Sequence, residues 1–231
     1  MKNKYVIMLI VILLLISSVF FYLSSYYRAI DVEEYLKSDE LVEVKEDSNG
    51  YLFDGIGEDT LLIFYTGGKV EFTSYAPLMN RLAKEGVDTY LVRIPFNLAI
   101  FDSNAADKVI RNYKYDNYYI GGHSLGGAMA ANYASKHEVK GLILLAAYST
   151  KKVDCRVLSI YGSNDGVLNM DKYYENKKNL PDDTLEVKIE GGNHAYFGNY
   201  GEQKKDGKAS ISRDGQQEIT AIKIIDFIRE N

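Results

Sequence analysis

Residues 119–130 read YIGGHSLGGAMA. Within them Gly122-His123-Ser124-Leu125-Gly126 fits Gly-x-Ser-x-Gly, a pattern in which a serine stands on a sharp strand-to-helix turn with its hydroxyl exposed. The pattern is short. With 19 glycines in 231 residues, composition alone gives on the order of 0.1 matches in such a chain, so the surroundings must decide. The surroundings fit: NYYIGG at 117–122 reads as a strand, and 124–136 as a helix. Gly122 and Gly126 flank the serine where side chains would collide, and Gly127, Ala128, Ala130 and Ala131 let the helix lie close to a sheet.

Outward from this turn, strands and helices alternate. TLLIFYT at 60–66 is continuously apolar, as a strand buried on both faces is. VDTYLVRIP (87–95), GLILLAAY (141–148), RVLSIYG (156–162) and TLEVKIEGG (184–192) supply further strands. LVEVKED at 41–47 alternates apolar and polar, and SNG at 48–50 turns it back on YLF as a hairpin. One helix is predicted from a Ser74 cap, with Pro77 in its first turn, to a stop at Gly86. Others are predicted over 105–112, 171–178 and 218–229, the last with Ile219, Ile222, Ile225 and Ile228 along one side. The expectation is an α/β fold, a mostly parallel sheet with helices on both faces. In such sheets functional residues gather at the carboxyl ends of the strands.

A catalytic Ser124 therefore needs partners at other strand ends. A serine hydroxyl is a poor nucleophile until a base takes its proton, and histidine is the usual base. The chain has three. His123 adjoins Ser124 on the turn, where neighbouring side chains point apart. His137 lies further along the predicted helix, roughly 20 Å away at 1.5 Å per residue. His194 in IEGGNHAYF follows a predicted strand, between flanks that permit an exposed loop. The carboxylate that orients it is Asp165 in IYGSNDGVL: Asp154, Asp182 and Asp183 precede strands, and Asp171 belongs to the next helix. The order Ser, Asp, His follows. For the oxyanion, the expected donors are the N–H of Leu125, at a helix start, and that of Gly68 in TGGKV.

Composition narrows the rest. Apolar residues make up 46% and charged residues 26%, enough for a sizeable core. The net charge of −5 and the lack of a basic cluster argue against nucleic-acid binding. One cysteine, Cys155, leaves no disulfide framework, and no metal-ligand motif occurs; neither metal nor organic cofactor is expected. The first residues are different material. Tyr5 to Leu23 carries no charge and spans roughly 28 Å as a helix, close to a bilayer's hydrocarbon thickness. Lys2 and Lys4 precede it, which keeps that end cytoplasmic and the remainder outside. A cleaved signal peptide is the rival reading, but Phe20, Phe21, Tyr22 and Tyr26 crowd the place where small residues would be needed. The expected organisation is a membrane anchor over 1–28, a linker over 29–40 and a catalytic domain over 41–231, extracytoplasmic on a single pass.

On these residues the chain resembles the α/β-hydrolase superfamily, from about residue 41 to the C-terminus. GHSLGG is similar to the elbow of lipases and esterases, and Ser124, Asp165 and His194 fall on its nucleophile, acid and histidine positions. TGGKV falls on its oxyanion loop. GGKVEFTSYAPL, IPFNLAIFD and GGNHAYFGNYG resemble segments of small, lid-poor bacterial hydrolases. Dienelactone-hydrolase-like enzymes are more distant, since they typically use cysteine. The resemblance implies an α/β-hydrolase fold and an esterase acting through an acyl-enzyme on Ser124, with a small-molecule ester as substrate. An acyltransferase with the same triad and a non-catalytic binding protein remain alternatives. Only AYSTKKVDC separates strands 141–148 and 156–162, where lids are usually inserted, so no cap domain is expected. Tyr196, Phe197 and Tyr200 are candidate substrate contacts, with core packing the competing role.

Overall fold

The structure, a computed structural model, describes residues 2–57 and 59–230. Met1, the first residue of the expected anchor, and Asn231, the last of the expected domain, lie outside the described residues.

A long helix, α1 (Lys2–Ser24), precedes everything else. The hairpin β1 (Glu43–Asp47) and β2 (Gly50–Asp54) follows, then β3 (Thr60–Tyr65), α2 (Ala76–Lys84), β4 (Asp88–Val92), α3 (Ala105–Asn112) and β5 (Asn117–His123). The chain continues through α4 (Leu125–Ala134), β6 (Gly141–Leu145), β7 (Arg156–Gly162), α5 (Met170–Asn176), β8 (Leu185–Ile189) and α6 (Arg213–Arg229). The eight strands form one sheet in the order β1-β2-β4-β3-β5-β6-β7-β8. β1 and β2 pair antiparallel, β2 joins β4 antiparallel, and the remaining pairs are parallel. The expected fold class is therefore present, and no helix stands between β6 and β7.

Period-2 alternation along the strands divides the core. Leu62 and Phe64 of β3 face one side, where Leu78 and Leu82 of α2 and Ile224 and Phe227 of α6 cover them. Leu61, Ile63 and Tyr65 face the other, with Val109 of α3 and Ala130, Ala131 and Tyr133 of α4. All of β3, β4 and β6 is buried, as central parallel strands require.

Three expectations change. Ser74 does not cap α2: it lies in a 3₁₀ turn over Phe72–Tyr75, its buried hydroxyl without a hydrogen-bond partner among the described residues, and the helix starts behind Tyr75 with Pro77 in its first turn. α6 starts five residues earlier than predicted, capped by Ser212, whose Oγ accepts the Gly215 N–H at 3.0 Å. Its buried face runs through Gln217, Thr220, Ala221, Ile224, Ile225 and Ile228, while Ile219 and Ile222 face solvent. Polar Gln217 and Thr220 turn inward because the chain satisfies them: Gln217 donates to the Asn199 side chain at 2.9 Å and Thr220 to Gln216 O at 2.7 Å.

Candidate active site

β5 delivers the chain to Ser124, and α4 departs from it. Between them Ser124 takes φ 53° and ψ −121°, a conformation that costs a non-glycine residue on the order of 1–3 kcal/mol. Main-chain bonds hold it there: its N–H donates to Leu145 O of β6 at 2.9 Å, and its carbonyl accepts the Ala128 N–H at 3.1 Å. The flanking glycines permit the geometry. A Cβ on Gly122 would lie 2.6 Å from the Gly126 carbonyl carbon, and one on Gly126 would collide with the main-chain oxygens of Tyr65 and Thr66.

Asp165 lies in the loop after β7. Its Oδ1 accepts the N–H groups of Val167 and Leu168, each at 2.8 Å, and its Oδ2 accepts from His194 Nδ1 at 2.8 Å. Both side chains are 1% exposed, so water does not compete for the bond. This bond assigns the ring proton to Nδ1, leaving Nε2 as the acceptor. His194 Nε2 is buried and has no hydrogen-bond partner among the described residues. The His194 ring packs 4.5 Å from the ring of His123, the residue before Ser124. The serine turn and the Asp–His pair are thus brought to one rim of the sheet. His137 is not: it stacks on Tyr133 at 3.9 Å and bonds that residue's carbonyl at 3.0 Å.

Sequence reasoning missed two residues that hold His194. Asp206 accepts the N–H of His194 at 3.2 Å and of Ala195 at 2.8 Å, and also that of Gly166, next to Asp165, at 3.1 Å. One carboxylate thereby ties the two loops together. Gln216 grips the residue before His194 from both sides, accepting the Asn193 N–H at 3.0 Å and donating to the Asn193 carbonyl at 2.8 Å. Neither KKDGK nor RDGQQE carries a local signal for this role; their reach across the chain is a tertiary fact.

On the other side of Ser124 lies the loop after β3. Gly67 N–H donates to Tyr75 Oη at 3.1 Å, and Lys69 N–H to Asn97 O at 2.7 Å. The N–H between them, that of Gly68, has no partner among the described residues. Gly68 lies beside Leu125: a Cβ there would meet the Leu125 side chain at 2.9 Å. Leu125 opens α4, so its N–H has no intrahelical acceptor. Tyr75 Oη also lies 2.8 Å from His123 Nδ1. Burial pushes the tyrosine's pKa up and that of His123 well below 6.5, with the neighbouring His194 adding to the latter shift. A protonated tyrosine that accepts from Gly67 can thus donate to a neutral His123.

The aromatic residues after His194 pack the site rather than open onto it. Phe197 is fully buried, 5.5 Å from the His123 ring, and Tyr200 lies between Tyr27 at 5.8 Å and Tyr75 at 6.4 Å. Tyr196 is half-buried, with the Arg213 guanidinium 5.1 Å from its ring centroid.

Residues 61–218 match the alpha/beta hydrolase family. A search of curated proteins finds no match. Among solved structures, the chain is similar to a dienelactone hydrolase from Anabaena variabilis, with 14% identity, a TM-score of 0.61, and 79% of this chain and 96% of that chain covered. It is also similar to MGS-MChE2, an alpha/beta hydrolase enzyme from the metagenome of lagoon sediments at Mar Chica, Morocco (14%, 0.61, 81% and 98%). A laboratory-evolved variant of potato epoxide hydrolase StEH1 aligns as well (13%, 0.62, 82% and 100%). At such identities these neighbours speak for the fold. With the family match spanning more than half its length, the chain belongs to the alpha/beta hydrolase family.

Proposed function

We propose that this protein is a serine hydrolase that cleaves carboxylic esters through an acyl-enzyme on Ser124. The observation that carries the reading is the buried Asp165–His194 pair, whose Nε2 has no partner among the described residues and whose ring lies 4.5 Å from that of His123, the residue before a serine held at φ 53°. In this scheme His194 Nε2 takes the Ser124 proton as Oγ attacks the ester carbonyl. Asp165 stabilises the imidazolium that forms. The oxyanion accepts from the Leu125 and Gly68 N–H groups, and the departing alcohol receives the proton from His194. Water, activated by the same histidine, then releases the acid. No metal or organic cofactor enters the scheme.

The domain 41–231 carries this chemistry, and 1–28 is its anchor. α1 supports that assignment: its segment Lys4–Ser24 is 21 residues long, apolar and without a buried residue in its apolar window, about 31 Å at helical rise. With lysine at its N-terminal side, the domain lies outside the cytoplasmic membrane.

A panel of esters of graded acyl length, assayed on the full chain, tests the reading. Ser124→Ala is expected to lower kcat by about 10³-fold or more on every ester that is turned over. Turnover that survives this substitution would remove Ser124 from the reaction. Product analysis with added alcohols separates hydrolysis from acyl transfer.

A further inference from the structure

The helix α1 does not hang from the domain on a loose tether. Behind it, Tyr27 forms a parallel bridge with Val70: its N–H donates to Lys69 O, and its carbonyl accepts the Glu71 N–H, each at 2.8 Å. Lys69 Nζ donates to Tyr22 O at 2.8 Å, and its ammonium lies 3.7 Å from the Tyr22 ring centroid. The loop that carries Gly68 is therefore fastened to the last turns of the helix, and a cleft of about 390 Å³ opens between them, lined by Ser25, Tyr26, Tyr27 and Lys69.

The loop after β4 makes the second attachment. Asn97 O holds the Lys69 N–H, and the Leu98 side chain would lie 3.6 Å from a Cβ on Gly68. This loop also touches the helix: the Phe96 and Phe20 rings meet edge-on at 6.5 Å, and Phe101 joins Phe96 at 5.7 Å. Phe96, Ile100 and Phe101 are 39%, 56% and 50% exposed. Three large apolar side chains on one short loop are costly to leave in water. With α1 as the proposed anchor, Phe20 lies inside its uncharged run, which puts the neighbouring Phe96 at the level of the membrane interface. Lipid is the one medium continuous with that cluster.

From this we propose that the mouth of the Ser124 site is held against the bilayer, and that its substrates are amphiphilic esters resident there and drawn from the lipid rather than from water. The proposal rests on the hydrolase reading above. The bond broken is the acyl C–O bond of such an ester; water supplies the oxygen of the released acid, and the alcohol leaves with a proton. An apolar rim beside the oxyanion loop shortens the path of a chain-bearing ester from its own phase to Ser124.

The test uses the full chain in phosphatidylcholine vesicles, with two fluorogenic esters: a long-chain ester dissolved in the bilayer and a water-soluble butyrate. The combined substitution Phe96→Ser, Ile100→Ser and Phe101→Ser is expected to slow the bilayer ester by about tenfold or more and to leave the soluble ester within about twofold. Equal losses on both substrates, or none on either, would overturn the proposal while leaving the Ser124 chemistry in place. A second measurement does not depend on catalysis. The chain has no tryptophan, so Ile100→Trp is a lone reporter, and lipids brominated near the head of the acyl chain are expected to quench it. An unquenched reporter excludes lipid contact at this loop whatever the enzyme does. If the unaltered protein hydrolyses neither ester, the hydrolase reading and the substrate proposal fall together, and quenching alone decides the contact.

Discussion

Ser124 keeps its conformation because its neighbours leave no alternative, and Gly126 is the neighbour with least room. Gly126→Ala places a methyl group against the main-chain oxygens of Tyr65 and Thr66, at the head of the loop that carries Gly68. The expected outcome is a loss of kcat of about 10²-fold or more, or a fall in the thermal midpoint, read by steady-state assay and calorimetry. Asp206 permits a finer test. An amide in its place keeps the size but turns one acceptor oxygen into a donor facing main-chain N–H groups. Asp206→Asn is expected to lower kcat by about 10–100-fold with little change in KM and an unaltered circular-dichroism spectrum, since it releases the His194 backbone without touching substrate. A variant with full kcat would show that the bridge between the two loops is dispensable. His123 contributes at this scale through stability. Its folded pKa is depressed by burial, so its contribution is complete above the unfolded value near 6.5 and is lost as pH falls towards the folded value. Below 6.5 the unfolded chain takes up a proton that the folded chain refuses. Unfolding free energy measured by denaturant at a series of pH values should fall less steeply below pH 6.5 in His123→Asn than in the unaltered protein.

Among the elements, the strands that form the centre of the sheet were the most legible. β3 is buried along its whole length, as the apolar run in TLLIFYT leads one to expect, and β7 occupies the residues predicted for it, its buried Ser159 paired with the Tyr173 hydroxyl. The predicted strands run past the observed ends where the backbone turns abruptly. β6 stops at Leu145 because Ala146 takes φ 47°, and β4 at Val92 ahead of Pro95 and two residues of positive φ. Of the seven described non-glycine residues with positive φ, five follow the carboxyl ends of β3 to β6, so backbone strain gathers at the rim that carries the site. α6 was the least legible element, because its first turns bury glutamines rather than aliphatic side chains. Two substitutions separate its roles. Ser212→Ala removes the cap and is expected to cost about 1 kcal/mol of stability with activity intact. Gln216→Ala frees Asn193 on both sides and should lower kcat as well as stability.

At the scale of the molecule, composition alone announced the apolar helix, and the three residues expected at the site needed only strand order to be brought to one rim. What composition could not announce is how the segment behind the helix lies. Residues 29–40 read as a polar connector, yet Val32 is buried, Tyr35 and Leu36 pack against the core, and Ile30 N–H donates to Asn199 O at 2.9 Å. Such contacts depend on partners distant in the chain, as Ile30 on Asn199 and the Ala29 N–H on Glu71, which no local pattern encodes. If the anchor assignment is right, protease added to intact cells digests the domain; protection until the cells are lysed would reverse the orientation. The central claim concerns a nucleophile activated by its histidine, and a fluorophosphonate probe interrogates that directly. Applied to the full chain with mapping of the modified peptide, it is expected to label Ser124 in the unaltered protein and to leave His194→Ala essentially unlabelled. No label on Ser124, or labelling indifferent to the loss of His194, would contradict it.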